Sequence, residues 1–242
     1  MLTARAITAL DVRLSLPPPY LPPATKDRVE DIWTAEKQRR GGSLFNGRLF
    51  SVSTNDWAGR ITGWLAEYKW FLAQRREPSL FDVLRVQPLA ITGLLHCKDG
   101  IVFGHRAGHV EQDAGLWELV PSGGIDGSTV KGDGSISLSD QALAELEEEI
   151  GIAANVLSSE PVAFAIVYDE DSHVSDVGIS LRTDVTKKMI ISKFMSLPNR
   201  EYVELECVAS NLVGDFVQQR GRQLAPVSQA LLGSCCTTSG GA

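Results

Sequence analysis

Two hydrophobic rhythms alternate along this chain, one of period two and one of period three to four, and together they assign its elements. Ile7, Leu10, Val12 and Leu14 alternate imperfectly with polar residues over 4–16, which predicts a strand stopped by Pro17-Pro18-Pro19. After a capping Thr25, the stripe Val29, Ile32 and Trp33 predicts a helix that ends at Gly41-Gly42. Strands follow over 44–52, with Asn46-Gly47 as a turn signal, and over 61–64; a helix over 65–75 closes before Pro78. These elements predict a small N-terminal α+β domain over residues 1–85.

Residues 86–225 read as a second domain. Apolar runs on either side of Lys98-Asp99-Gly100 predict a hairpin over 89–104, and a short strand over 117–120 leads into Pro121-Ser122-Gly123-Gly124. A polar, Gly-rich stretch over 127–135 precedes a helix that Ser137 can cap, with Asp140 in the reciprocal capping-box position and Gly151 beyond its end. Later strands are predicted over 162–168, 177–181 and 202–209, then a helix over 213–220. Residues 226–242 read as a flexible C-terminal tail.

Composition narrows the class. A chain of 242 residues that is 43% hydrophobic can bury an ordinary core, which excludes a disordered protein. A formal charge of −7 argues against nucleic acid as a partner, since phosphates call for a basic stripe. Arg5, Asp11 and Arg13 interrupt the only apolar N-terminal run before it could serve as a signal peptide or membrane span, so a cytoplasmic protein, monomer or homodimer, without a membrane partner is expected. Cys97 and Cys207 read as buried, reduced thiols. Cys235 and Cys236 are adjacent near the tail, and no cysteine spacing suggests zinc or a disulfide framework. Trp57, Trp64 and Trp70 read as core residues rather than as a stacking platform.

The predicted helix before Gly151 carries the candidate chemistry. At α-helical spacing Glu145, Glu148 and Glu149 share one face while Leu143, Leu146 and Ile150 share another. Negative charge near a helix C-terminus opposes the backbone dipole, and like charges at these spacings repel, so bound cations would relieve both. Hard carboxylate oxygens favour magnesium, or manganese, over softer metals. Gly123 and Gly124 permit positive φ and close backbone approach, so that a carbonyl of this turn, assigned to Gly123, can join the helix carboxylates around a cation. Such a site suits cleavage of a diphosphate.

The run Ala144-Glu145-Leu146-Glu147-Glu148-Glu149-Ile150-Gly151-Ile152, with Gly123 upstream, resembles the Nudix box, G-x5-E-x7-R-E-U-x-E-E-x-G-U with U aliphatic. Leu116 to Asp126 also resembles the strand and turn that enter that box. The likeness covers about 89–220 and implies a Nudix α/β/α sandwich that hydrolyses a nucleoside diphosphate linked to another moiety. It implies Glu145 and Glu149 as first metal ligands and Glu148 as a further ligand or base, these three being the catalytic set. Ile32-Trp33, residues 44–47 and Glu67-Tyr68-Lys69-Trp70 resemble the N-terminal part of the UDP-glucose diphosphatase-like group, which implies a nucleotide sugar as substrate, with nucleoside monophosphate and sugar phosphate as products. ADP-ribose is the nearest competitor.

The chain also departs from the box. Ala144 stands where the family has Arg, Ile136 or Thr129 stands where it has its first Glu, and about seven residues are inserted in the Gly-rich stretch. These losses motivate a non-hydrolytic nucleotide-binding regulator as the alternative, and a metal-free interaction domain as a third reading. Outside the box, Arg106 can clamp a phosphate, and Gly124 and Glu170 are further substrate contacts. Glu201, Glu204 or Glu206 can supply a late ligand or base. His105 and His109 lack the glutamate of a zinc-protease motif and read as no metal site.

Overall fold

The computed structural model describes residues 1–238 except 43, 56–58, 109 and 111, so Trp57 and His109 lie outside the described residues. The chain runs β1 (Leu2–Ala6), β2 (Asp11–Leu14), α1 (Pro23–Arg39), β3 (Arg48–Asn55), β4 (Arg60–Glu67), α2 (Tyr68–Arg76), α3 (Phe81–Leu84), β5 (Leu89–Cys97), β6 (Gly100–Arg106), β7 (Trp117–Leu119) and β8 (Ser122–Gly124). It continues through α4 (Leu138–Glu145), β9 (Val162–Asp169), β10 (Val174–Arg182), α5 (Lys187–Met195), β11 (Tyr202–Val208), α6 (Val213–Arg220) and α7 (Pro226–Thr238).

The large sheet has the order β1-β9-β10-β5-β6-β11, with β7 paired to β6 and β8 to β5. Its β5–β10 pair is parallel and its other pairs are antiparallel. Side chains alternate across this sheet and bury both faces. Ile91, Leu95, Val177 and Ile179 pack on one face against Ala142, Leu146 and Ile150 and against Ile190 and Phe194 of α5. Leu94, Phe103, Ala165 and Val167 pack on the other against Phe216 of α6 and Leu231 of α7. The result is the expected α+β fold with helix, sheet and helix in three layers.

The single strand expected over 4–16 is two strands with different partners. β1 extends the large sheet beside β9, whereas β2 runs parallel to β4 in a separate sheet of order β2-β4-β3. Val12, Phe50, Val52 and Ile61 of the small sheet share one apolar cluster with Ile125, Ile136 and Leu138. Backbone bonds reinforce this junction. Phe50 N–H donates to Ile125 O at 2.6 Å, Leu14 N–H to Gly134 O at 2.8 Å and Ile136 N–H to Val12 O at 2.8 Å. The inserted Gly-rich stretch is thus laid along β2.

Asn46-Gly47 does not turn a hairpin. Asn46 accepts from Lys69 N–H at 2.9 Å and donates to Glu67 at 2.7 Å, and Gly47 O accepts from Tyr68 N–H, so the pair ties down the start of α2. Trp64 is buried, with its ring 5.7 Å from that of Trp70. The segment from 226, expected as a flexible tail, is instead helical to Thr238, because Leu231 is buried over Gly178 and Ser228 Oγ accepts from Leu119 N–H at 2.9 Å. Cys97 and Cys207 are half-buried with their sulfurs 3.1 Å apart, a proximity their sequence separation gives no hint of. No helix among the described residues is long and apolar enough to cross a membrane.

Candidate acidic site

Ser137 caps α4 as expected, its Oγ accepting from Asp140 N–H at 3.2 Å, while the Asp140 carboxylate turns to Lys131 at 3.9 Å rather than closing the box. Gly151 ends the helical run at φ 77°, a left-handed position that glycine adopts without strain. Between them the helix changes pitch, with α4 ending at Glu145 and Leu146–Ile150 forming a π-turn. The wider turn alters the spacing on which a shared carboxylate face was expected. Leu146 and Ile150 remain in the core, Glu149 is carried inward with them to 5% exposure, and Glu148 is left at the surface.

Gly123 and Gly124 form β8 with ordinary negative φ, so positive φ is not what this turn requires. The requirement is space. A side chain at Gly123 would overlap the Glu145 carboxylate, which lies directly against the glycine backbone. Gln141 Nε2 steadies that carboxylate at 2.8 Å, one helical turn earlier. Ser122 N–H donates to Glu149 Oε2 at 2.9 Å. The glycine turn and the two inward-facing glutamates therefore form one site, while Gly124 is exposed with open space around it.

Two residues that local sequence patterns did not flag complete the cluster. Glu118, in the middle of β7, is 6% exposed and accepts from the Arg106 guanidinium and from Tyr202 Oη at 2.7 Å. Tyr202 Oη also stands 3.2 Å from Glu149 Oε2. A lone acidic residue between Trp117 and Leu119 is the one available signal for Glu118; nothing in the chain near Tyr202 points to it. Arg106 is turned onto Glu118, with Nε bound to Gln112 O at 2.9 Å, so its charge is spent on a buried carboxylate rather than offered to a phosphate.

Crowding shows in the proton affinities. Burial, aided by the charges of Glu148, Glu201 and Asp126, pushes the Glu145 carboxyl up to about 7 against the pull of Gln141. Burial lifts Glu149 well above the usual carboxylate range despite Ser122, with Glu118, Glu145 and Glu201 adding to the shift. Of the three late acidic residues, Glu201 is the one whose charge adds to both shifts, and it stands 3.6 Å from Arg106 Nη2; Glu204 pairs with His105 at 3.4 Å and Glu206 with Arg220 at 3.0 Å. Glu170 is exposed in the turn after β9, with its N–H on Met1 O, and is not among the charges acting on Glu145 or Glu149. Among the described residues no three acidic, histidine or cysteine side chains already stand close enough together to hold a metal ion. A groove of about 770 Å³ between α5 and β11, lined by Lys187, Lys188, Ile191, Cys207 and Leu212, contains none of the three helix glutamates.

No family model and no curated protein matches this chain. Solved structures with a similar arrangement include a bifunctional NMN adenylyltransferase/ADP-ribose pyrophosphatase from Francisella tularensis complexed with AMP and a manganese ion. It is 14% identical over 72% of this chain and 47% of that one, with a TM-score of 0.45. The chain thus spans about half the length of that bifunctional protein. The Nudix domain of NrtR from Shewanella oneidensis, complexed with ADP-ribose, is 16% identical over 63% of this chain and 88% of that one, at a TM-score of 0.42. A Nudix hydrolase from Nitrosomonas europaea is 14% identical over 52% and 58%, at 0.34. At these values the functional reading rests on the chain's own residues.

Proposed function

We propose that this chain is a divalent-metal-dependent hydrolase of a nucleoside diphosphate linked to a second moiety. One observation carries the proposal: Glu145 packs onto Gly123 while Glu149 binds the neighbouring Ser122 N–H, so the acidic helix and the glycine turn make a single oxygen-lined site. The donor set fits magnesium or manganese, because it is all hard oxygen and its carboxylates crowd one another with Arg106 already committed elsewhere. Glu145 and Glu149, with the surface Glu148 and the Gly123 carbonyl, would hold the ion. Such an ion supplies Lewis acidity, neutralising charge on the diphosphate oxygens.

The protein's part is to hold these carboxylates and to accept a proton. Water adds to phosphorus, the phosphoanhydride P–O bond breaks, and the released proton goes to a carboxylate, with Glu148 or Glu201 as the base. The products are a nucleoside monophosphate and the phosphate of the second moiety. Nucleotide sugars and ADP-ribose both belong to this class. The residues that favour a nucleotide sugar have structural duties: Ile32 and Trp33 are buried and Asn46 anchors α2. The two substrates therefore compete on equal terms.

The test is a panel of nucleotide sugars and ADP-ribose incubated with the protein and magnesium or manganese, with monophosphate release followed by chromatography. Release is expected, and Glu149→Gln, which keeps shape and removes charge, is expected to lower it by at least about a hundredfold without unfolding the chain. Saturable nucleotide binding without product would assign the non-hydrolytic regulator instead. Absence of both nucleotide and manganese binding would leave an interaction domain.

A further inference from the structure

Tyr202 opens β11, and its fully buried ring lies on Gly104 of β6, where even a methyl group would stand 2.6 Å from its Cδ1 atom. The β11–β6 register shifts between Tyr202 and Glu204, so the strand is re-aimed where this side chain enters. From that seat the hydroxyl reaches Glu118 Oε1 at 2.7 Å and Glu149 Oε2 at 3.2 Å. Glu118 in turn holds Arg106, whose guanidinium also lies over the tyrosine ring at 5.9 Å from its centroid. Arg106, Glu118, Tyr202 and Glu149 thus form a continuous line from four separate segments of the chain.

Both protein contacts to Glu149, from Ser122 N–H and from Tyr202, fall on Oε2. The hydroxyl carries one proton, which goes to Glu118 or to Glu149; when it goes to Glu149 it meets the same Oε2 that Ser122 N–H holds, so that oxygen is fixed from two directions. Glu145, by contrast, is steadied by Gln141 from its own helix.

We infer that Tyr202 is a positioning residue that links the Arg106–Glu118 ion pair to Glu149 and sets that carboxylate for the cation. The inference deepens the metal-dependent reading above and rests on it. Tyr202→Phe removes the hydroxyl and keeps the ring on Gly104. With the chain folded by circular dichroism, its manganese dissociation constant is expected to rise roughly tenfold or more, as orienting partners of metal ligands usually show. At subsaturating manganese kcat should fall in step, while KM for the nucleotide at saturating manganese stays within about twofold. Glu118→Gln should give a loss of the same kind, and the double variant should be no worse than the worse single one, because both act through one line.

Manganese affinity and kcat in Tyr202→Phe equal to those of the parent would overturn the inference and leave the metal-dependent reading intact. Strictly additive losses in the double variant would also overturn it, since the two residues would then act separately. A parent chain that binds no manganese would overturn the metal-dependent reading itself, and this inference with it.

Discussion

The Glu145 carboxylate rests on the bare backbone of Gly123, with only the missing β-carbon making room for it. Even the farther carboxylate oxygen would stand 2.8 Å from a methyl placed there. Gly123→Ala is therefore expected to push Glu145 off the turn. Because the displaced atoms are the far end of a flexible side chain, stability should change by less than about 1 kcal/mol, while manganese affinity should fall roughly 10- to 100-fold. Urea unfolding and calorimetric titration measure the two effects; a normal manganese affinity in a folded variant would count against the site.

The raised proton affinity of Glu145 fixes the sign of a pH effect. Its carboxyl titrates near 7 in the folded chain against an ordinary value of 4.5. Between those values the native state keeps a proton that the unfolded chain has released, so this group's contribution to stability declines as pH rises through the window. A bound cation offsets the charge. The manganese-induced rise in melting temperature should therefore be larger at pH 8 than at pH 5.5, and Glu145→Gln should flatten the metal-free decline over that range. Thermal melts across pH test this, and equal manganese shifts at both pH values would contradict it.

Asp176 offers a control away from the helix glutamates. It is buried in β10, with Thr92 Oγ1 donating to it at 3.2 Å, and burial pushes its carboxyl up to about 7 against that bond. By the same sign rule it weakens the fold above neutral pH. Asp176→Asn should raise the melting temperature at pH 8 by a few degrees, on the order of 1 kcal/mol, and by progressively less as the pH falls toward 4. Destabilisation at pH 8 would show that the ionised carboxylate has a partner worth more than its burial costs.

Arg106 should behave as a stability residue. Arg106→Met strands Glu118 in the interior, which costs about 3–5 kcal/mol when one partner of a buried pair is removed. Adding Glu118→Gln removes the stranded charge and should restore much of that loss. Denaturant titrations of the single and double variants decide the matter. A variant with parental stability and a raised KM would instead return Arg106 to the phosphate-clamping role its sequence position suggests.

What could be read from sequence was local. The Ser137 cap, the Gly151 stop and the burial of Leu146 and Ile150 depend on neighbours within a few residues, and each appears in the structure, whereas Leu143 of the expected apolar face is only half-buried. The π-turn did not show, because Leu146 to Ile150 fits an α pattern equally well and only packing selects the wider pitch. Glu118 and Tyr202 are 84 residues apart, and their meeting depends on both β7 and β11 pairing with β6. α5 was missed because Lys187-Lys188 hides the stripe of Ile190 and Phe194. α7 was missed because small residues surround Leu231, whose burial is set by a glycine on another strand.

The bond from Ile136 N–H to Val12 O, one residue ahead of the helix cap, ties the second strand of the chain to the entrance of the acidic helix. Deleting the first fourteen residues would strip β9 of its outer neighbour and free that entrance in a single cut. A shortened version designed to begin near residue 86 would thus keep every glutamate of the acidic site and lose the strands packed around its helix.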